Sequence, residues 1–485
     1  MPAEAHQYSD IKELTLEAIF EITSFQPFTS EPDFVGFHYK DHDVKRERPR
    51  APSNLWPEAC SLTNISCILQ SSISMRVQSP SQPIRVLFVD HTAQLGGGEI
   101  ALRNLVEALD HNQVSATVLV CASGPLVDQL RNSNRDVRVF PLSSEIAQTR
   151  KDSLGWKSIL KVGELASSLA FIWKLAQLIR KLRVDVVHTN SLKAHVLGGL
   201  AARLARTPLI WHLRDRIAPD YLPRPAVQLV YFLSRLLPHF VIANSQATLE
   251  TILPHNSEAS YSSRFKVIHD GCVLPPLSET SDDDLPRIGM LGRISPWKGQ
   301  DIFIKAASIV REEFPDTRFE IIGAPLFSEA AYEKGLRALA ATLRLERNLE
   351  FTGFVNDVGS AINRLRMVVH ASIIGEPFGQ VVIEGMSAGK PVIATRAGGI
   401  PEIVVDGETG LLVPIKDERE LANAMITLLR DPMRACQMGM NGRERVRRFF
   451  TIERHAQAVE QVYEDVLRSK HKDSSRLAQE RLESA

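Results

Sequence analysis

Glu376 and Glu384 stand eight residues apart, with Pro377, Phe378, Gly379 and Gln380 between them. A Pro-Phe-Gly turn leading into the helix pattern from Gln380 to Met386 predicts a loop that enters a helix. Glu376 then sits on the loop and Glu384 one turn into the helix, while the N–H groups near Gly379 and Gln380 are left unpaired at its N-terminus. Such a terminus attracts phosphate through its dipole and its free donors. A carboxylate one turn further on can accept hydrogen bonds from vicinal hydroxyls, as on a ribose. The same spacing also describes a solvated loop with a helix-stabilising acid. A second constellation is Gly292-Arg293 followed by Lys298-Gly299. Two cations on one loop would neutralise a pyrophosphate, Arg as a fork and Lys as a point charge, unless they are ordinary solvated cations.

Gly96, Gly97 and Gly98 form a Gly-rich turn after an apolar run, where backbone can approach a ligand closely. A nicotinamide-binding unit would want G-x-G-x-x-G and an acid about 20 residues on. The next strand instead runs out into Ala122-Ser123-Gly124, which argues against an oxidoreductase. Polar residues also end three strands: His188 with Asn190; His212 with Arg214 and Asp215; and Asn244. One histidine at a strand end is more often structural. Three strands that each end in hydrogen-bonding groups point to a polar pocket.

The elements that must position these residues are legible as alternating strands and helices. Ile84–Val89, Ala116–Cys121, Val137–Phe140, Val184–His188, Leu209–Leu213 and Phe240–Ala243 read as buried strands. After a Pro- and Asp-rich stretch the pattern restarts with Arg287–Leu291, Phe319–Ile322, Leu349–Thr352, Met367–His370, Pro391–Ala394 and Gly410–Val413. Each half predicts a parallel sheet covered on both faces, α/β and doubly wound, and two such units face each other across a cleft. The expected boundaries are a poorly ordered extension over 1–82, a first domain over 83–275 and a linker over 276–286. A second domain follows over 287–451, then a helix over 452–468 that crosses back and a tail over 469–485. Within the extension, Asp10–Ile22 has the spacing of a short helix.

These segments together resemble the retaining glycosyltransferases of family 4, with the GT-B fold of two Rossmann-like domains. The resemblance rests on Glu376 to Glu384 continuing into Gly385-Met386-Ser387-Ala388-Gly389-Lys390-Pro391, then Gly398-Gly399-Ile400-Pro401-Glu402 and Gly407-Glu408-Thr409-Gly410. It implies an acceptor-side first domain, a nucleotide-sugar-binding second domain and transfer of a hexose to a hydroxyl with retained configuration. Arg293 and Lys298 would bind the donor diphosphate, Glu384 the ribose and Glu376 the sugar hydroxyls. Phe378, Gly379 and Gln380 would lie nearby, Phe354 and Val355 beside the base, and Gly97 and Gly98 against the phosphates from the opposite domain. His212 matches, less tightly, a histidine near the transferred sugar. His188, Asn190, Arg214, Asp215 and Asn244 would line the acceptor pocket. No metal and no cofactor are expected beyond the nucleoside-diphosphate sugar as co-substrate. The family more often has an acid between the Arg and the Lys, where this chain has Ile294-Ser295-Pro296-Trp297. The rival reading is a catalytically silent nucleotide-sugar binder or scaffold.

Composition bounds the rest. The chain has 485 residues, 57 basic and 57 acidic, which argues against a dedicated nucleic-acid binder. The charge is uneven: net −4 over 1–82, +7 over 83–275 and −3 over 276–485. Five cysteines without a C-x-x-C, no secretory signal pattern and no membrane-length apolar run predict a cytoplasmic protein. Lys174, Arg180, Lys181 and Arg183 lie on or just after an otherwise apolar helix. Either the helix packs on the sheet and leaves these cations in water, or it touches the inner face of a membrane and reaches a lipid-linked acceptor. The acceptor itself, whether glycan, lipid-linked or small molecule, is open.

Overall fold

The computed structural model describes residues 82–142, 162–253, 263–277, 285–325 and 329–483. The expected extension up to residue 81, its helix Asp10–Ile22 and linker residues 278–284 lie outside the described residues. The first sheet contains β1 (Ile84–Asp90), β2 (Val114–Val120), β3 (Asp136–Val139), β4 (Val186–Thr189), β5 (Leu209–Leu213), β6 (Phe240–Ala243) and β7 (Phe265–Val267). Their order is β3-β2-β1-β4-β5-β6-β7, all parallel. The second sheet contains β8 (Arg287–Leu291), β9 (Arg318–Ile322), β10 (Leu349–Gly353), β11 (Met367–His370), β12 (Val392–Thr395) and β13 (Leu411–Val413), in the order β10-β9-β8-β11-β12-β13 and again all parallel.

Parallel strands are buried on both faces, which is why their sequences are continuous apolar runs. In β1, Leu87 and Val89 pack with Val187 and Trp211 beneath the helices Val162–Leu182 and Leu192–Ala205. Val86 and Phe88 face the other way, onto the helix Gly97–Ala108 and residues of the final helix. In the second sheet Met290, Phe303, Phe319 and Val369 form the core on one face, and Leu291, Val368, Ile383 and Met386 form it on the other. In both sheets the chain leaves the central pair of strands in opposite directions, so each has a switch point between its first and fourth strands where ligands characteristically bind.

The expected crossing helix is present but longer. It runs from Ile452 to Glu483 rather than ending at 468 with a tail beyond. The apolar periodicity that sets the expected end stops at Leu467. Residues 469–483 continue as a helix because they are rich in Lys, Arg, Glu, Ala and Leu and contain neither Gly nor Pro. Two backbone bonds seat the crossing: Cys272 N donates to Phe450 O and Ile452 N to Cys272 O, both at 3.0 Å. A Cβ at Gly271 would fall 2.6 Å from Ile452 Cα, so only glycine lets the two chain segments pass. Ala456, Val459, Val462, Tyr463 and Val466 then bury against the first sheet.

The helix is thus held to the first domain mainly by buried area. Tyr463→Ala empties a fully buried aromatic site and removes the partner 2.9 Å from His188 Nδ1. The expected loss is about 3–5 kcal/mol. Arg468→Ala, on the exposed side, should stay within about 0.5 kcal/mol, and denaturant unfolding of both variants checks the contrast.

Candidate active site

The loop after β8 turns through Gly292 and Arg293 into a single 3₁₀ turn, Pro296–Lys298, and from Gly299 into helix Gln300–Glu313. Opposite it, the chain leaves β11 through Ser372, reaches Glu376 and enters helix Gln380–Ser387. Lys298 Nζ forms an ion pair with Glu376 Oε1 across this gap. The same oxygen accepts from Ser372 Oγ at 2.9 Å and lies 3.2 Å from His370 Nε2. Burial alone would raise the Glu376 carboxyl. The charge of Lys298 and the hydrogen bond from His370 outweigh it and hold the group well below the ordinary carboxylate range. Gly398, at φ +61°, lets the backbone pass close to Glu376, where a Cβ would collide with the Glu376 carbonyl.

Arg293 lies beside this pair. Its Nε is 3.6 Å from Glu329 Oε2, and Glu329 Oε1 accepts from Ser295 Oγ at 2.6 Å. An acid therefore does face this loop, supplied from 36 residues beyond Arg293 rather than from within the loop. Gln300 Nε2 fixes the loop by donating to Arg293 O at 2.8 Å. Trp297 puts its ring 4.2 Å from Lys298 Nζ and 6.0 Å from Arg293 Cζ, within cation–π range of both. Glu384 stands on the first turns of helix Gln380–Ser387, where Gln380 Nε2 donates to its Oε1 at 3.3 Å. Burial pushes its carboxyl up to about 7. Phe378 turns its ring into the core against His269 and Phe450, so the groups it and Gly379 present at the helix start are backbone. Phe354 is exposed and Val355 half-buried just past β10.

In the first domain the glycines are not a loop. Gly97 and Gly98 are the first two residues of helix Gly97–Ala108, and Gly96 N donates to Glu99 Oε2 at 3.1 Å. Burial, together with the charges of Asp90 and Asp215, pushes Glu99 up to about 8. Asp215 is raised as well, first by burial, while the charges of His91 and Arg293 and a hydrogen bond from Tyr221 oppose the rise. Asp215 thus lies within electrostatic reach of the cation on the other domain.

The remaining polar residues of the first domain form a hydrogen-bonded layer at the ends of β4, β5 and β6. His212 is fully buried, with its Nδ1 3.2 Å from His188 Nε2. His188 is also fully buried, and its two ring nitrogens lie 2.9 Å from Tyr463 Oη and 3.2 Å from His212 Nδ1. Asn190 donates to Asp90 Oδ2 at 2.7 Å and accepts from Arg214 Nε at 2.7 Å. Arg214 is ion-paired with Asp270, and Asn244 Nδ2 also donates to Asp270, at 3.4 Å. Of the five residues expected in an acceptor pocket, Asp215 is partly exposed and the other four are buried. The reason is topological: the loop after β1 and the final helix both cover these strand ends, and neither contact is visible in strand periodicity.

Sequence reasoning also missed Asp90, Tyr221, Asp270, Glu329, His370, Glu402 and Tyr463. Asp90 and Asp270 carried a usable signal, an acid ending or following a buried strand. Glu402 joins the two sheets: its carboxylate accepts from Gln246 N and Ala247 N at 2.9 Å and lies 2.9 Å from His269 Nε2. Arg216 Nη1 donates to Gly375 O at 3.3 Å across the same seam. Among the described residues, His212, Asp270 and His455 bring possible metal-ligand atoms within 4.8 Å of one another. The guanidinium of Arg214 already occupies the Asp270 oxygen they would share, so this group suits an ion-paired core better than a cation site.

A family model for glycosyl transferases group 1 matches residues 278–445, and one for a glycosyl transferase 4-like domain matches residues 96–266. The chain is a family 4-type glycosyltransferase. Its fold is GT-B, and its activity is glycosyl transfer from a nucleotide-sugar donor. The solved structure of Anabaena HepE in complex with UDP and glucose is 28% identical, with a TM-score of 0.68 over 78% of this chain and 99% of that one. Sucrose-phosphate synthase from Thermosynechococcus elongatus shares the fold at 21% identity and a TM-score of 0.63, over 80% of this chain and all of that one. By sequence, the Escherichia coli UDP-Gal:alpha-D-GlcNAc-diphosphoundecaprenol alpha-1,3-galactosyltransferase is 24% identical over 81% of this chain and its own full length. The D-inositol 3-phosphate glycosyltransferase of Corynebacterium glutamicum is 25% identical over 82% of this chain and 99% of its own.

Lys298 is the partner that lets Glu376 stay ionised in a nearly closed site. Lys298→Met should cost about 3–5 kcal/mol, because it strands a buried carboxylate. The double variant Lys298→Met/Glu376→Gln should recover most of that loss. A denaturant double-mutant cycle measures the coupling, and additive losses would mean that the pair is not coupled.

Proposed function

We propose that this glycosyltransferase moves a hexose from a nucleoside-diphosphate hexose to a hydroxyl acceptor with retained anomeric configuration and without a catalytic metal. The observation that carries the reading is the convergence of Arg293, Lys298, Glu376 and the N-terminus of helix Gln380–Ser387 at one edge of the second sheet. Arg293 and Lys298 take the charge that develops on the diphosphate, and the uncapped N–H groups at Gly379 and Gln380 add to it. Glu376 Oε1 is occupied by Lys298, Ser372 and His370, which leaves Oε2 to orient a sugar hydroxyl. Glu384 holds the ribose, Phe354 and Val355 lie beside the base, and Gly97 and Gly98 close on the phosphates from the first domain. With the diphosphate neutralised by side chains, the leaving group departs and the acceptor oxygen attacks the same face of an oxocarbenium-like sugar. The departing phosphate takes the acceptor's proton. The protein contributes position and charge. The UDP and glucose in the HepE complex favour a UDP-hexose as donor.

Release of nucleoside diphosphate is measured for UDP-, GDP- and ADP-hexoses with chelator present. UDP-hexose should be the active donor. Glu384→Gln should weaken donor binding about 10-fold, the loss expected for a hydrogen bond to a charged group. The Glu384 carboxylate is the form that accepts ribose hydroxyls, so donor affinity should fall as pH drops through about 7. That dependence should be absent in Glu384→Gln. No release from any donor, or a product of inverted configuration by NMR, would refute the reading.

The acceptor side further fits a peripheral contact with an anionic membrane surface. No described helix is long and apolar enough to cross a membrane. The helix Val162–Leu182 buries Phe171, Leu175 and Ile179, as an ordinary surface helix does, yet leaves Leu169 and Trp173 more than half exposed. Leu204, Phe232 and Leu236 are exposed on neighbouring helices, and Arg203 Nη2 joins two of them by donating to Leu236 O at 2.6 Å. Lys174, Arg180, Lys181 and Arg206, on or just after the same helices, are also exposed. Sedimentation with phosphatidylglycerol vesicles should carry the protein down at low salt, and Trp173→Glu/Phe232→Glu should abolish it. Equal sedimentation of wild type and variant would remove the membrane from the reading.

A further inference from the structure

Glu376 is held in place from both domains. Its side chain is held within the second domain, by Lys298, Ser372 and His370. So is its own carbonyl, which accepts from Gly399 N at 2.9 Å. The carbonyls on either side of it are held by the first domain. Gly375 O accepts from Arg216 Nη1 at 3.3 Å. Pro377 O accepts from Thr248 Oγ1 at 3.0 Å and also from Ser245 Oγ. Ser245 and Thr248 are fully buried. Their hydroxyls are themselves fixed, because Ser245 caps the short helix Gln246–Glu250: its Oγ accepts from Thr248 N at 2.9 Å, which leaves its proton free to reach Pro377 O. Two buried donors thus meet the two lone pairs of one carbonyl. Arg216 is steered by Asp220, whose Oδ2 accepts from the same Nη1 at 2.9 Å. The second domain grips this stretch in return, since Gln246 N and Ala247 N both donate to Glu402 at 2.9 Å. Each of the four residues 245–248 therefore makes a polar contact with the second domain.

Contacts that merely join two domains can fall anywhere along a seam. These fall on the two residues that flank the carboxylate assigned to a sugar hydroxyl. We propose that Thr248 and Ser245, aided by Arg216, are positioning residues for the donor: they fix the loop 375–377 so that the second carboxylate oxygen of Glu376 stands at the transferred hexose. The inference rests on the transfer reading above and adds that the first domain, not only the second, sets the orientation of the donor sugar. The contacts assigned to the diphosphate and the ribose, through Arg293, Lys298 and Glu384, do not run through Pro377 O. Loss of these hydroxyls therefore acts on turnover rather than on nucleotide binding. A misplacement of about 1 Å at a reacting group can cost roughly 100-fold in rate, and a carbonyl that loses one of two donors is free to shift on that scale.

Two variants of one residue separate positioning from packing. Thr248→Val keeps the shape and removes the hydroxyl, and Thr248→Ser keeps the hydroxyl and removes a methyl. The full chain is assayed for nucleotide release across a concentration series of whichever UDP-, GDP- or ADP-hexose wild type turns over best. Affinity for the matching nucleoside diphosphate is measured by calorimetry, and each variant is melted. Thr248→Val should lower kcat about 10-fold or more, with KM and nucleotide affinity within about 2-fold of wild type. Thr248→Ser should keep roughly half or more of the wild-type kcat, even where it melts lower. Ser245→Ala/Thr248→Val, which removes both donors, should lose more turnover than Thr248→Val alone. The proposal by itself is overturned if Thr248→Val turns the donor over as wild type does, if its loss lies in KM and nucleotide affinity instead of kcat, or if Thr248→Ser loses as much kcat as Thr248→Val. Wild type that releases nucleotide from none of the donors sinks the transfer reading, and this proposal with it.

Discussion

A carboxylate that is removed from water but must remain charged needs a cation at contact distance, and the Lys298–Glu376 pair meets this need in the second domain. The requirement explains much of the local architecture. Lys298 is brought up by a single 3₁₀ turn ended by Gly299 at φ +78°, because a Cβ there would collide with Ala371 O. Glu376 is presented by a loop that passes Gly398 at close range, again a position closed to other side chains. His370 and Ser372, at the end of β11 and just beyond it, supply the remaining partners. Two strands, two glycines and one turn thus converge on one ion pair. The cleft inherits a cation and a carboxylate held in contact with each other.

The first domain solves a similar problem with two buried acids. Asp90 is satisfied by Asn190 and Ser191 from the strand beside it, and Asp270 by Arg214. His188, His212 and Tyr463 continue this polar layer to the final helix. Removing any one of these groups leaves another buried and unpaired, which is why such networks are costly to interrupt. The layer therefore reads as the polar support of these strand ends. Asp215 and Glu99 stand at its rim with carboxyls raised by burial and by neighbouring negative charge.

The fold was legible because parallel strands must be apolar along their whole length. Ile84–Val89 and Arg287–Leu291 announce the first strand of each sheet, and the Gly-rich and cationic loops follow them directly. The short strand Phe265–Val267 was not, since three residues carry no periodicity. The convergence of Arg293, Lys298 and Glu376 was readable because these residues lie on two short segments whose own turns fix their geometry. The polar layer of the first domain was not, because its arrangement depends on a covering helix nearly 250 residues away in sequence. His212 shows the failure clearly. Its place at a strand end was right, but Asp270 and His455, which enclose it, come from a different loop and from the helix that returns after the second domain. Glu329 shows the converse: the loop's missing acid is present, but only the packing of Ser295 reveals it.

The two halves meet through contacts of modest strength rather than through a shared core. Glu402 bridges two backbone N–H groups and His269, Thr248 Oγ1 donates to Pro377 O at 3.0 Å, and Arg216 reaches Gly375 O. Each hydrogen bond of this kind is worth about 0.5–3 kcal/mol, the upper end applying where a charge is involved. The hydrophobic clusters, in contrast, lie mostly on one sheet or the other, although Cys272 and Leu274 pack into the core of the second. Separating the final helix from the first sheet would expose Val459, Val462 and Tyr463. The physical expectation is two rigid bodies that keep their own cores, with the crossing helix moving as part of the first.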